Sequence, residues 1–388
     1  MTYNFNEIIP RKNTNSYKHD SWLEKNISKD SIPMWVADMD FKAPAPVTDA
    51  LQGLVNHGVF GYAHVNEEYY NALNNWFEKR YNYPIKSPWL VTTTGIVVAL
   101  AMAVKAYTNK GDSVMIQTPA YHPFKPTIEK NERKCITNSL INKNNQYYID
   151  FEDFEKKILE NNVKLFVLCS PHNPVMRVWS KEELNKIGEI CKRYNCIVFS
   201  DEIHCDFVYP GHKHIVFSNA GKGFDQISLI ATSPSKTFNI PSLQIANTFI
   251  PNEDLCKKFK SELYKAGYHQ PGIMGILACQ AAYNHGEDWL NQLMEYLQGN
   301  INFLENFLKE NIPQVIMPPV EGTYLMWLDF RKLNMEHNDL ANLITKKAKV
   351  WLSSGTDFGP EGEGFMRMNI GCPRSVLEEG SKRIKGFL

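Results

Sequence analysis

The sequence predicts an α/β fold: a large unit built on a mainly parallel sheet covered by helices, followed by a smaller α+β unit. Three observations predict it. Apolar runs such as Val163–Ser170 and Cys196–Ser200 are nearly continuous, as in strands buried on both faces. Between residues 89 and 250 such runs alternate with helical segments, the pattern of parallel strands joined by crossover helices. After Glu287 the alternation stops and a long amphipathic helix begins.

Taken in order, residues 1–45 are proline-punctuated and irregular, with one short strand-like stretch, Met34–Ala37. Ala45–His57 and Tyr69–Tyr81 carry helical periodicity. Trp89–Thr94 reads as a strand and Ile96–Tyr107 as a helix, followed by strands at Ser113–Gln117 and Val163–Ser170. Ser180, with Glu183 three residues on, is a capping box that opens a helix to Tyr194. Strands Cys196–Ser200 and Ile227–Thr232 follow. Beyond them come a helix over Asp288–Glu310, a strand at Gly322–Phe330, a helix at Asn338–Ala348, a strand at Gly364–Ile370 and a helix at Arg374–Phe387. A chain of 388 residues exceeds what one core usually supports. The expected division is an N-terminal segment 1–45, a large domain 46–285 and a small domain 286–388.

Lys plus Arg equals Asp plus Glu at 42 each, which argues against a nucleic-acid or membrane-surface role. No apolar run approaches the ~18 residues of a membrane helix. Met1–Glu7 lacks the charged-then-apolar pattern of a signal peptide. The eight cysteines show neither paired zinc spacing nor a disulfide framework. No metal site is therefore expected, and the thiols read as reduced core residues of a cytoplasmic protein.

Three strands run into chemically suggestive groups: Pro171-His172-Asn173-Pro174, Asp201-Glu202-Ile203-His204 and Ser233-Pro234-Ser235-Lys236. Ligands of open α/β sheets sit beyond the carboxyl ends of the strands, so Asn173, Asp201 and Lys236 share one rim. A lysine at a buried strand end is suited to attack a carbonyl and form a Schiff base. Flanked by hydroxyls, it points to pyridoxal 5′-phosphate (PLP). Asp201 would pair with the pyridinium nitrogen and Asn173 would donate to the ring oxygen. Taken singly, Asp201 also fits a helix N-cap and Asn173 a turn. Gly95, just before a helix, offers backbone N–H groups to a phosphate, and Ser233 and Ser235 can add hydroxyls. Tyr121, after another strand, could stack on the ring or pack in the core. Arg367, inside the apolar strand Phe365–Ile370, needs an anion, either a substrate carboxylate or a structural partner.

The order and spacing of Tyr121, Asn173, Asp201, Lys236 and Arg367 resemble the fold-type I PLP enzymes, the aspartate aminotransferase superfamily. Several phrases resemble its MalY/PatB group of cystathionine β-lyases: Pro33–Phe41 (PMWVADMDF), Ser170–Pro174 (SPHNP) with Arg177–Trp179, Ser200–His204 (SDEIH), Ser235–Ile240 (SKTFNI) and Glu321–Leu325 (EGTYL). The resemblance covers nearly the whole chain. It implies an aspartate aminotransferase-like fold and a PLP-dependent C–S β-lyase acting on a small amino-acid substrate. Lys236 would hold the cofactor, Asp201 and Asn173 its ring, and Tyr121 would stack on it. Gly95, Ile96, Ser233 and Ser235 would surround the phosphate. Arg367 would bind the substrate carboxylate and Ala37 would line the pocket. Tyr62 matches a tyrosine that reaches the phosphate from the neighbouring subunit, which implies a homodimer. An aminotransferase is the alternative on the same catalytic set. A regulatory protein that keeps the enzyme fold is another, as MalY-type proteins can bind a regulator. The chain departs from the pattern at Met176, where the family usually has glycine, at Pro241-Ser242, and at Gln244, where aminotransferases often have arginine.

Overall fold

The computed structural model describes residues 2–388; Met1, the first residue of the expected N-terminal segment, lies outside them. Seven strands form the principal sheet: β1 (Leu90–Thr93), β2 (Ser113–Thr118), β3 (Lys134–Ser139), β4 (Leu165–Cys169), β5 (Ile197–Asp201), β6 (Ser228–Thr232) and β7 (Ala246–Phe249). Their order is β1-β7-β6-β5-β4-β2-β3. Only β7 runs against the others. The cause is the connection. Parallel neighbours are usually joined by a crossover helix long enough to carry the chain back along the sheet. The link from β6 to β7 holds only the four-residue helix Pro234–Thr237 and a single turn at Pro241–Leu243, so the chain returns beside the strand it left.

Alternation along the strands divides the core into two apolar clusters. Val114, Ile116, Leu165 and Val167 face one, which holds the helix Ile96–Tyr107 and Phe259. Met115, Phe166 and Leu168 face the other, which continues without a break to Trp327, Met366 and Met368. Those last residues belong to a three-stranded antiparallel sheet of β8 (Leu325–Asp329), β9 (Ser353–Ser354) and β10 (Phe365–Asn369), in the order β8-β10-β9. Gly286 separates the helices Ile273–His285 and Glu287–Asn311. Among the described residues no helix is long and apolar enough to cross a membrane.

The expected strand at Met34–Ala37 does not form. Ile32–Pro33 pairs with Val350–Trp351, and from Met34 the chain runs irregularly over the principal sheet's carboxyl rim. Side chains take its carbonyls in place of a neighbouring strand. Arg367 donates to Trp35 O at 2.8 Å, and Asn369 Nδ2 donates to Val36 O at 2.6 Å and Asp38 O at 2.8 Å. The helix over Ser180–Tyr194 forms as Lys181–Arg193 with its capping box intact.

Met176 adopts φ +62° and is fully buried. This is the left-handed conformation for which glycine is the usual residue. Its carbonyl accepts from Gly322 N at 3.0 Å and Glu321 N at 3.2 Å, fixing the turn that leads into β8. Left-handed backbone costs a non-glycine residue roughly 1–2 kcal/mol, whereas deleting a buried methionine side chain costs about 2–5 kcal/mol. Met176→Gly is therefore expected to lower the thermal midpoint, as read by calorimetry. A rise would mean that strain outweighs packing here.

Candidate active site

Each strand-end residue is placed by its own strand. Register aligns Cys169 with Asp201 and Asp201 with Ala231, so β4, β5 and β6 end level with one another. Beyond their ends lies a cavity of about 180 Å³ lined by Ala37, Gly95, Ile96, Tyr121, Asn173, Asp201, Ser235 and Lys236. Eight of the eleven residues anticipated for the site thus meet in one chamber.

Lys236 sits in the short helix Pro234–Thr237, and its Nζ donates to Ala37 O at 3.0 Å. Burial lowers its pKa to about 8, assisted by Arg367 and opposed by Asp38 and Asp201. Asp201 behaves in the opposite sense. Burial raises its carboxyl to about 7, and only the Ile203 amide at 3.1 Å and the charge of Lys236 hold it down. No helix follows Asp201, so its side chain closes a local turn and caps no helix.

Gly95 is the N-cap of the helix Ile96–Tyr107, and no side chain caps that end. The first-turn amides therefore open onto the cavity with the positive end of the helix dipole. Val97 and Val98 of the same turn join the lining. Tyr121 is half-buried, its ring edge-on to Phe124 with centroids 5.5 Å apart.

Three anticipated residues lie off the lining. Ser233 caps the lysine's helix: its Oγ accepts from Ser235 N at 3.0 Å and donates to Ile245 O at 2.6 Å. This local bonding, common for serine before a helix, directs the hydroxyl into the backbone. Tyr62 is fully exposed, on an irregular segment between two helices. Arg367 stands behind Asn173. Its Nη1 donates to Asn173 Oδ1 at 3.0 Å, its Nη2 donates to Trp35 O and to Ser353 Oγ at 3.2 Å, and the guanidinium lies 4.7 Å from the Phe358 ring centroid. Burial lowers its pKa to about 10. Among the described residues no carboxylate forms an ion pair with it; its partners are the Asn173 amide, the Trp35 carbonyl and the Ser353 hydroxyl. With Asn173 Oδ1 taken by the guanidinium, the amide nitrogen is the end available to a ligand.

Sequence reasoning missed Cys169, Ile203 and His204 as lining residues. His204 is buried, with Nδ1 unpartnered, and burial together with Lys236 and Arg367 lowers its pKa to about 3. Its position three residues after Asp201 was the available signal. The loop at Gln244, which is exposed in a left-handed conformation, adds nothing to the lining.

The donor set suits one kind of molecule: an amine for a carbonyl, uncapped amides with Ser235 for an anion, a tyrosine for a flat ring, and a buried carboxyl short of a cation. PLP has all four complements.

Comparison with known proteins agrees. The family described as aminotransferase class I and II matches residues 38–384. Cystathionine beta-lyase PatB of Bacillus subtilis is 41% identical over 99% of this chain and 100% of its own. Protein MalY of Escherichia coli is 33% identical over 97% of each chain. The crystal structure of cystalysin from Treponema denticola, which contains pyridoxal 5′-phosphate, superposes with a TM-score of 0.97 at 36% identity, covering 100% of this chain and 98% of that one.

Asp201 has a measurable signature in the cofactor-free protein. The folded carboxyl keeps its proton to about pH 7, while an unfolded aspartate releases it near ~3.9. The stability this contributes is full below ~4 and is lost as pH rises through about 7, a change on the order of 4 kcal/mol. Cofactor-free Asp201→Asn should therefore melt above the wild type at pH 8, with the gap closing toward pH 5. Parallel melting curves across that range would show that the carboxyl is not held neutral.

Proposed function

The chain belongs to the class I and II aminotransferase family, and from that membership we propose that it is a PLP-dependent carbon–sulfur β-lyase. Its substrates are cystathionine, cysteine or S-substituted cysteines, and its products are a thiol, pyruvate and ammonia. The observation that carries the lyase reading is full-length kinship at 41% identity to a protein named cystathionine beta-lyase. The catalytic set alone is common to lyases and aminotransferases.

When bound, PLP supplies an electron sink for the charge left at the substrate's α-carbon. This chain's residues do the rest. Lys236 Nζ would hold the cofactor and, as a free amine, would take the α-proton. A pKa near 8 suits an amine that must accept a proton near neutrality. The Asp201 carboxylate keeps the proton on the ring nitrogen, because a buried carboxyl is stabilised in its ionised form by an adjacent cation. Asn173 Nδ2 would donate to the cofactor's ring oxygen and Tyr121 would pack against its ring. The amides after Gly95 and Ile96, with Ser235, would hold the phosphate. Ser233 supports them indirectly by capping the turn that presents Ser235. Tyr62 of the partner subunit completes the phosphate site in a homodimer, which its full exposure here supports. Ala37 walls the substrate side. We read the compartment as cytoplasmic, which the eight free cysteines, seven of them buried, support.

Arg367 takes the substrate α-carboxylate. Its hydrogen bonds to Asn173, Trp35 and Ser353 fix the plane of the fork before substrate arrives, so little ordering entropy is lost on binding. Arg367→Ala removes both the charge and the fork. A charged bidentate contact contributes about 1.5–3 kcal/mol, so KM should rise roughly 10- to 150-fold with the bound-cofactor absorbance retained. An unchanged KM would return Arg367 to a structural role.

The function itself is tested by products. Purified protein given cystathionine without a keto acid should release thiol, pyruvate and ammonia in equal amounts. Lys236→Ala should release none and lose the yellow chromophore. A requirement for a keto acid, with the cofactor accumulating in its amino form, would establish the aminotransferase instead.

A further inference from the structure

The amine of Lys236 and the hydroxyl of Tyr324 share one acceptor. Lys236 Nζ donates to Ala37 O at 3.0 Å, and Tyr324 Oη donates to the same oxygen at 2.8 Å. Tyr324 is fully buried just before β8, its ring edge-on to Phe207 at 4.7 Å and to His204 at 5.9 Å. The carbonyl itself cannot follow either donor. Asn369 holds the carbonyls on both sides of it, and Asn239 brackets Met39, accepting from Met39 N at 2.8 Å and donating to Met39 O at 2.9 Å. Farther along, Arg11 and Lys18 are ion-paired to Asp40 at 2.7 and 2.8 Å.

A carbonyl oxygen has two lone pairs and can serve both donors, but each donor draws electron density from the oxygen and weakens the other's bond. We propose that Tyr324 is a positioning residue for the reaction: its hydroxyl fixes the Ala37 carbonyl as the dock for the released amine of Lys236 and at the same time weakens that carbonyl as an acceptor for it. This rests on the reading of Lys236 as the base. The dock holds the amine beside the cavity after substrate displaces it, and the shared acceptor stops it from over-stabilising the ammonium.

Other groups face the amine from each packed element. Asp38 of the N-terminal segment and Asp201 at the end of β5 favour the ammonium, and Arg367 of β10 opposes it. His204 is uncharged above about pH 3, and burial raises the pKa of the phenols of Tyr121 and Tyr324. Near neutrality Asp201 titrates beside Lys236, at about 7. Variant and wild type must therefore be compared across one full pH series.

Tyr324→Phe removes a single oxygen and keeps the ring. In cofactor-free protein, the pH dependence of Lys236 acetylation by acetic anhydride, read by mass spectrometry, should shift upward by ~0.1–0.7 pH unit, the effect of strengthening a charge-assisted hydrogen bond by about a tenth to a third when its competitor is removed. In the holoenzyme the acid limb of kcat with cystathionine should move up by the same amount, with KM little changed. Tyr209→Phe is the control: that phenol is also buried but its hydroxyl has no partner, so both profiles should stay in place. Profiles of Tyr324→Phe that superimpose on the wild type, shift downward, or shift no more than those of Tyr209→Phe would overturn the proposal. If the wild type itself yields no pyruvate from cystathionine, the lyase reading falls, and the acetylation profile still decides the role of Tyr324.

Discussion

The structure depends on placing a lysine amine and an aspartate carboxyl in one small cavity at the carboxyl rim of a parallel sheet. Water would solvate both groups cheaply; the cavity does not. Burial moves the amine down toward 8 and the carboxyl up toward 7, so each is close to losing its charge. Two such groups are receptive to a molecule that brings a carbonyl to one and a cation to the other. The sheet supplies the placement. Because β4, β5 and β6 end in register, Asn173, Asp201 and Lys236 need no long loops to converge, and their positions inherit the rigidity of the core.

The segment from Trp35 to Phe41 closes this arrangement from the other side. It has no strand partner, and its backbone is held by side chains from two directions. Arg367 and Asn369 reach it from the small sheet, while Lys236 and Asn239 reach it from beyond β6. An irregular backbone buried this way must have its polar groups satisfied individually. Here that requirement ties Lys236 and Arg367 to a common strip of chain. A displacement of the strip would reach both residues at once.

What could be read in advance follows from the range of each signal. The helix Ala45–His57 was legible from end to end, since Pro44 and Gly58 stop it locally. The strands carrying Asn173, Asp201 and Lys236 were legible because burial on both faces makes them continuously apolar. Strand β7 was not: Asn247 and Thr248 look like loop residues until Asn247 accepts from Tyr69 Oη at 2.6 Å. The helix Ile273–His285 also went unread, because packing on several sides gives it no apolar stripe. At the site, the residues at strand ends could be named from sequence. Tyr324 and His204 could not be given roles, because theirs depend on which carbonyl or cavity the folded chain brings to them. Ser233 shows the converse. Its type suggested a phosphate ligand, and a nearer backbone partner claimed it.

Met176 and Tyr324 belong to one chain of cause. Methionine in a left-handed conformation is locally unfavourable, so something must over-determine it. Its carbonyl holds the amides of Glu321 and Gly322, and next to it the buried Arg177 pairs with Glu321 at 2.8 Å. Glu321 in turn accepts from Val178 N at 2.8 Å, so the two loops are stitched at four points. Three residues beyond Glu321 stands Tyr324, whose hydroxyl reaches the carbonyl that receives the amine of Lys236. The strained loop after Asn173 therefore sets where β8 begins, and β8 sets where the phenol points. A glycine at position 176 would relax the conformation without supplying the buried side chain that keeps the two loops in contact. The departure from the family pattern at Met176 is best understood as packing that holds this connection.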